Sequence, residues 1–126
     1  MKNILYSNKD IIDLKNYICE QSEELTKIYK GNITVNNQNT VTLRGILDGN
    51  IYLSKNAVLN LYGTVIGNLF IENANINIYG TLNGNINNIQ GRVFIAGVVN
   101  GFVNSDVKVE ITQNAKVEKL LLNNGY

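Results

Sequence analysis

One short unit recurs along this chain at nearly constant spacing, and it constrains the fold more than any other feature. Gly-Asn-apolar stands at Gly31-Asn32-Ile33, Gly49-Asn50-Ile51, Gly67-Asn68-Leu69 and Gly84-Asn85-Ile86, with a degenerate copy at Gly101-Phe102-Val103. Successive copies lie 18, 18, 17 and 17 residues apart. A second glycine series, Gly45, Gly63, Gly80 and Gly97, runs four residues ahead of the last four copies. Self-similarity at a short fixed period marks a solenoid, in which no unit buries its apolar face alone and each needs its neighbours.

Aliphatic residues keep the same phase. The pairs Val41/Leu43, Leu59/Leu61, Ile76/Ile78 and Val93/Ile95 precede the second glycine series, and Leu47, Val65, Leu82 and Val99 follow it by two residues. Ile33/Val35, Ile51/Leu53 and Leu69/Ile71 follow the first series. One residue separates the members of each pair, the alternation of a strand buried on one face. Three short strands per unit make a triangular coil. Stacking then places Leu47, Val65, Leu82 and Val99 in one internal column. Gly and Asn suit tight corners because they tolerate positive φ at least cost. Asn occurs 23 times in the chain. Stacked Asn50, Asn68 and Asn85 could also bond along the stack as a ladder. Turn chemistry alone is the reading favoured for them.

The first thirty residues read as an α-helix. Ile11, Leu14, Ile18, Leu25 and Ile28 fall on one helical face. Ser7 and Asp10 stand at capping-box spacing, with Tyr6 and Ile11 placed as a hydrophobic staple. Gly31 is a natural stop. The expected architecture is therefore all-β, a three-sided parallel β-solenoid of about five coils over residues 31–126, with residues 1–30 as an N-terminal helical cap. The pattern loosens after Gly101, where Lys108, Lys116, Glu118 and Lys119 interrupt the apolar alternation. Charges on a terminal coil are a common device against edge-to-edge pairing.

The residues for catalysis are missing. The chain has no His, no Trp and no Pro, and a formal charge of +1 from 11 basic and 10 acidic residues. Only Arg44 and Arg92 are arginines, and no basic run occurs, which argues against nucleic acid as a partner. The one cysteine, Cys19, excludes an internal disulfide and, lacking a His partner, reads as a small packed hydrophobe. Asp48 and Glu72, the acidic residues of the regular coils, stand at different phases and cannot pair as acid and base. No metal, phosphate or other cofactor site is expected. The apolar patch at Ile4 and Leu5 is too short for a secretion signal, nothing approaches a membrane span, and a cytoplasmic address follows by default.

What remains is surface. Tyr52 and Phe70 occupy equivalent sites in successive coils, with Thr34 and Asn87 on either side. Tyr62 and Tyr79 form a second column, and Phe94 follows Asn60 and Asn77 in a third. Stacked aromatics can simply reinforce a solenoid. The alternative is a protein-binding face built from Tyr52, Phe70, Tyr62, Tyr79 and Phe94.

Coils with a period near 18 are similar to those of the hexapeptide-repeat acyltransferases and the γ-class carbonic anhydrases. Val41, Leu47, Leu53, Leu59, Val65 and Ile71 are indeed six apart. Both groups use histidine, which this chain lacks. The units Gly63-Thr64-Val65-Ile66-Gly67-Asn68-Leu69-Phe70-Ile71 and Gly80-Thr81-Leu82-Asn83-Gly84-Asn85-Ile86 resemble the bactofilin domain, over about residues 31–105. That resemblance implies a right-handed wind and a cytoskeletal subunit that polymerises through its coil ends. Bactofilins usually carry flexible, often Pro-containing tails, whereas this chain has no Pro and the expected cap would cover one end. The favoured expectation is a non-enzymatic, protein-binding solenoid, such as an immunity protein that neutralises a bacterial toxin. A monomer or small oligomer is expected rather than a filament. The alternative is a bactofilin-like scaffold whose partner is itself.

Overall fold

The computed structural model describes residues 11–122, and these form sixteen parallel-paired strands without a helix. The chain winds through about seven turns. A first face stacks Ile46–Asp48, Thr64–Ile66 and Thr81–Asn83, and a second stacks Ile51–Ser54, Leu69–Glu72 and Ile86–Ile89. The third runs from Glu23–Leu25 through Thr40–Leu43, Val58–Leu61, Asn75–Ile78 and Arg92–Ile95 to Glu110–Ile111. Four longer strands, Ile11–Cys19, Ile28–Val35, Val98–Ser105 and Lys116–Leu122, bend from the first face onto the second without a break.

Alternation puts every second side chain inside. Leu47, Val65, Leu82 and Val99 stand in register across four turns and are essentially inaccessible, as the spacing requires. Ile33, Ile51, Leu69, Ile86 and Val103 make a second column. Val41/Leu43, Leu59/Leu61, Ile76/Ile78 and Val93/Ile95 make two more on the third face. Burial of each aliphatic side chain is worth about 1.5–3 kcal/mol, so the columns supply most of the drive to wind. The remaining column runs Val35, Leu53, Ile71 and then turns polar at Asn88 and Ser105. The buried Asn88 amide donates to Gly91 O and Ser105 Oγ, each at 2.8 Å, and its carbonyl accepts from Gly91 N at 2.9 Å. Every polar atom of this inclusion therefore has a partner, which makes its burial tolerable.

The glycine columns exist for want of room more than for backbone freedom. A Cβ on Gly63, Gly80 or Gly97 would lie 2.0–2.1 Å from the carbonyl oxygen of the glycine one turn below. In the other series, a Cβ on Gly84 would lie 1.7 Å from Gly67 O, on top of a φ of +157°. Another corner adopts left-handed backbone without using glycine. Asn37, Gln38, Lys55, Asn56, Asn73 and Gln90 all have φ between +54° and +66°. That corner also explains the change in period. Its 18-residue turns carry two such residues (Asn37-Gln38, Lys55-Asn56), and its 17-residue turns carry one (Asn73, Gln90).

The asparagines beside the glycines do form a ladder, which corrects the turn-only reading. The side-chain carbonyls of Asn32, Asn50 and Asn68 accept from the backbone N–H of Asn50, Asn68 and Asn85 at 3.0, 2.8 and 2.9 Å. Asn85 Oδ1 accepts from Phe102 N at 2.8 Å, where the series ends. Each side chain thus satisfies a corner amide that the strand ladder leaves out.

The expected helical cap is replaced by strands. Ile11–Cys19 pairs along Ile28–Val35, Glu23–Leu25 pairs with Thr40–Leu43, and the expected boundary at residue 30 falls inside a strand. The proposed capping residues Tyr6, Ser7 and Asp10 lie outside the described residues. Two short strand segments meeting at a corner produced the misleading three-and-four spacing. Lys15 occupies that corner at φ +58°, and the pairing slips by one residue at Leu14. The winding therefore begins by Ile11 and continues past Lys116, which accounts for the turns beyond the expected five.

Candidate protein-binding surface

The five aromatic residues singled out from the sequence divide into two groups on different faces. Tyr52 and Phe70 are cross-strand neighbours on the second face, pointing outward between Thr34 and Asn87. Their ring centroids are 5.0 Å apart with planes inclined by 9°. Such stacking follows directly from the parallel register, which brings equivalent side chains to the strand spacing. Around them lies a hollow of about 290 Å³ lined by Tyr52, Phe70, Ser54, Glu72, Asn87 and Ile89. Ile89 is 51% exposed, an unusual place for a bare isoleucine on a flank where the equivalent positions hold Ser54 and Glu72.

The second group lies on the third face and the corner that follows it. Tyr62 and Tyr79 stack at 4.9 Å, and Tyr79 meets Phe94 in a tilted contact at 6.0 Å. Phe94 stands in register with Asn60 and Asn77, as the spacing indicated. The Arg44 guanidinium lies 4.6 Å from the Tyr62 ring centroid and also pairs with Glu24. Arg44 extends this stack by one turn, and sequence reasoning passed over it. The available signal was its place one residue before Gly45, equivalent to Tyr62 before Gly63. Arg92 pairs with Glu110 at 3.0 Å on the same face. Both ion pairs are well exposed and contribute little to stability.

Outside these flanks the chemistry is sparse. Asp48 ends a first-face strand and Glu72 a second-face strand, so the fold keeps them on separate faces. Cys19 is fully buried, and burial, with Glu23 nearby, pushes its thiol up to about 12. A thiol held protonated in this way is a poor nucleophile. The Tyr17 hydroxyl donates to Glu23 Oε2 at 2.6 Å, and this bond raises the phenol from 10.0 to about 12. Among the described residues no three His, Cys, Asp or Glu side chains gather as a metal would need, and no helix is long and apolar enough to cross a membrane. No family model matches the chain, and neither a curated protein nor a solved structure matches it.

Proposed function

We propose that this protein is a non-enzymatic, cytoplasmic β-solenoid that binds another protein through the flank bearing Tyr52 and Phe70. An immunity protein that neutralises a bacterial toxin is the kind of inhibitor this reading describes. The observation that carries it is the hollow beside the two parallel rings. Tyr52, Phe70 and Ile89 give it an apolar centre, and Ser54, Glu72 and Asn87 give it a polar rim. Protein interfaces share that anatomy, and tyrosine is among their commonest hot spots. The buried, protonated Cys19 and the separated Asp48 and Glu72 fit a protein without chemistry of its own. Tyr52→Ala and Phe70→Ala should each weaken the partner complex by about 2 kcal/mol, roughly 30-fold, with the solenoid intact by circular dichroism. Unchanged affinity in both variants would move function away from this flank.

The bactofilin-like scaffold is the second reading, and it has an observation of its own. Ile12 and Leu120 occupy positions that inner turns bury, yet they are 39% and 38% exposed at the two ends of the described stack. Apolar ends with an open strand edge invite stacking of further copies. The right-handed wind belongs to this reading, because it follows from the resemblance alone. Filaments of the intact chain in negative-stain electron micrographs would favour the scaffold over the binding protein.

A further inference from the structure

We propose that the two ends of the solenoid are unlike: the N-terminal turn is a finished end, and the C-terminal turn docks a second copy of this chain about a two-fold axis, forming a closed dimer. This goes beyond the Tyr52 flank and does not depend on it.

The internal columns differ at their two ends, although Ile12, under Tyr29, and Leu25, under Leu43, keep two N-terminal positions apolar. In the N-terminal turn, Tyr17 lies under Ile33, Cys19 under Val35 and Glu23 under Val41. The Tyr17–Glu23 hydrogen bond thus joins two column positions with polar groups. Another turn laid against this end would take the Glu23 carboxylate out of water with only the Tyr17 phenol and the Cys19 thiol beside it, and burying such a charge is expensive. Lys15 adds a steric stop. It pairs with Gly31 at the foot of a glycine column, in which each Cβ would strike the backbone of the turn below. Lys15 belongs to the turn with no strand paired beneath it among the described residues, so its side chain meets no carbonyl there.

The C-terminal turn has the opposite character. Val117 continues the column of Val99, Leu120 that of Val103, and Ile111 that of Ile95. Leu120 and Ile111 remain 38% and 39% exposed. The strand Lys116–Leu122 also reads as its own complement. It bends between the first and second faces near Glu118 and Lys119. A two-fold axis through this corner lays its first-face half antiparallel to the second-face half of the other copy. Val117 then opposes Leu120 of the partner subunit, and Glu118 opposes Lys119 of the partner subunit, each contact occurring twice. Unlike charges directly opposite are favourable cross-strand pairs, and the apolar pair closes both cores. Lys119 already leans over the Phe102 ring at 5.7 Å, at the edge of the contact. The interface is isologous, so it closes at two copies.

Sedimentation equilibrium of the intact chain tests this, with the fold of each variant checked by circular dichroism. The expected species is a dimer and nothing larger. Glu118→Lys and Lys119→Glu should each weaken it at least tenfold by placing like charges opposite. The double variant Glu118→Lys/Lys119→Glu should restore it, which no merely structural role would produce. Ile12→Lys, at the other end, should leave dimerisation unchanged. A monomeric intact chain, species that grow beyond the dimer, a double variant as weak as the singles, or a dimer broken by Ile12→Lys would each overturn the proposal.

Discussion

Val65 and Thr64 are chain neighbours with opposite environments. Val65 is completely buried in an aliphatic column, and Thr64 points away from it. An unpaired carboxylate at Val65 costs several kcal/mol, against a total stability of about 5–15 kcal/mol. Val65→Asp should therefore unfold the domain, as should Ile78→Asp, while Thr64→Asp should be nearly silent in urea denaturation. Equal damage at both positions would reverse the in/out assignment. Alternation made this contrast legible in the sequence. The role of Asn88 was not legible, because nothing in the run Asn87-Asn88 says which amide turns inward. Only the column reveals it, with Asn88 and Ser105 succeeding Leu53 and Ile71. Asn88→Ala would strand the Gly91 amide and remove a donor from Gly91 O, while Ser105 keeps its bonds to Val107, and should lower stability by about 2–3 kcal/mol in the same assay.

At the scale of elements, the glycine and aliphatic phases located every strand from Ile33 to Val103, and the first turn was misread. Its hydrophobic residues are spaced by a corner and a one-residue slip at Leu14, and together these imitate helical periodicity. A better signal lay alongside, since Lys15-Asn16-Tyr17-Ile18-Cys19 pairs residue for residue with Gly31-Asn32-Ile33-Thr34-Val35. It was hidden because lysine stands where the repeat has glycine. This turn also carries the pH dependence of the fold. Tyr17 rises from 10.0 to about 12 and Cys19 from 9.0 to about 12, so the folded state keeps protons that the unfolded chain releases. Their stabilising contribution is complete below about pH 9 and is lost as the pH climbs to about 12. The urea midpoint should accordingly fall across this window, and Tyr17→Phe/Cys19→Ser should flatten the fall. An equally steep decline in the double variant would place the alkaline sensitivity elsewhere.

For the whole molecule, the solenoid could be read from two glycine series, but function could not be read to the same depth. A stacked fold forces equivalent residues into columns, so the aromatic stacks Tyr52/Phe70 and Tyr62/Tyr79 were foreseeable. Their separation onto two faces, and the exposed Ile89 that completes the hollow, depend on how the three faces turn, which spacing alone does not fix. The number of turns matters most, because it decides which residues end the stack and so what the ends can bind. Its most direct test is solution NMR of the intact chain over residues 11–19. A seventh turn predicts contacts from the Tyr17 ring to the Ile33 methyls and from Cys19 to Val35, with protected backbone amides in between. Strong sequential amide contacts, together with contacts from each residue to the third one on, would instead show a helix there and contradict the account.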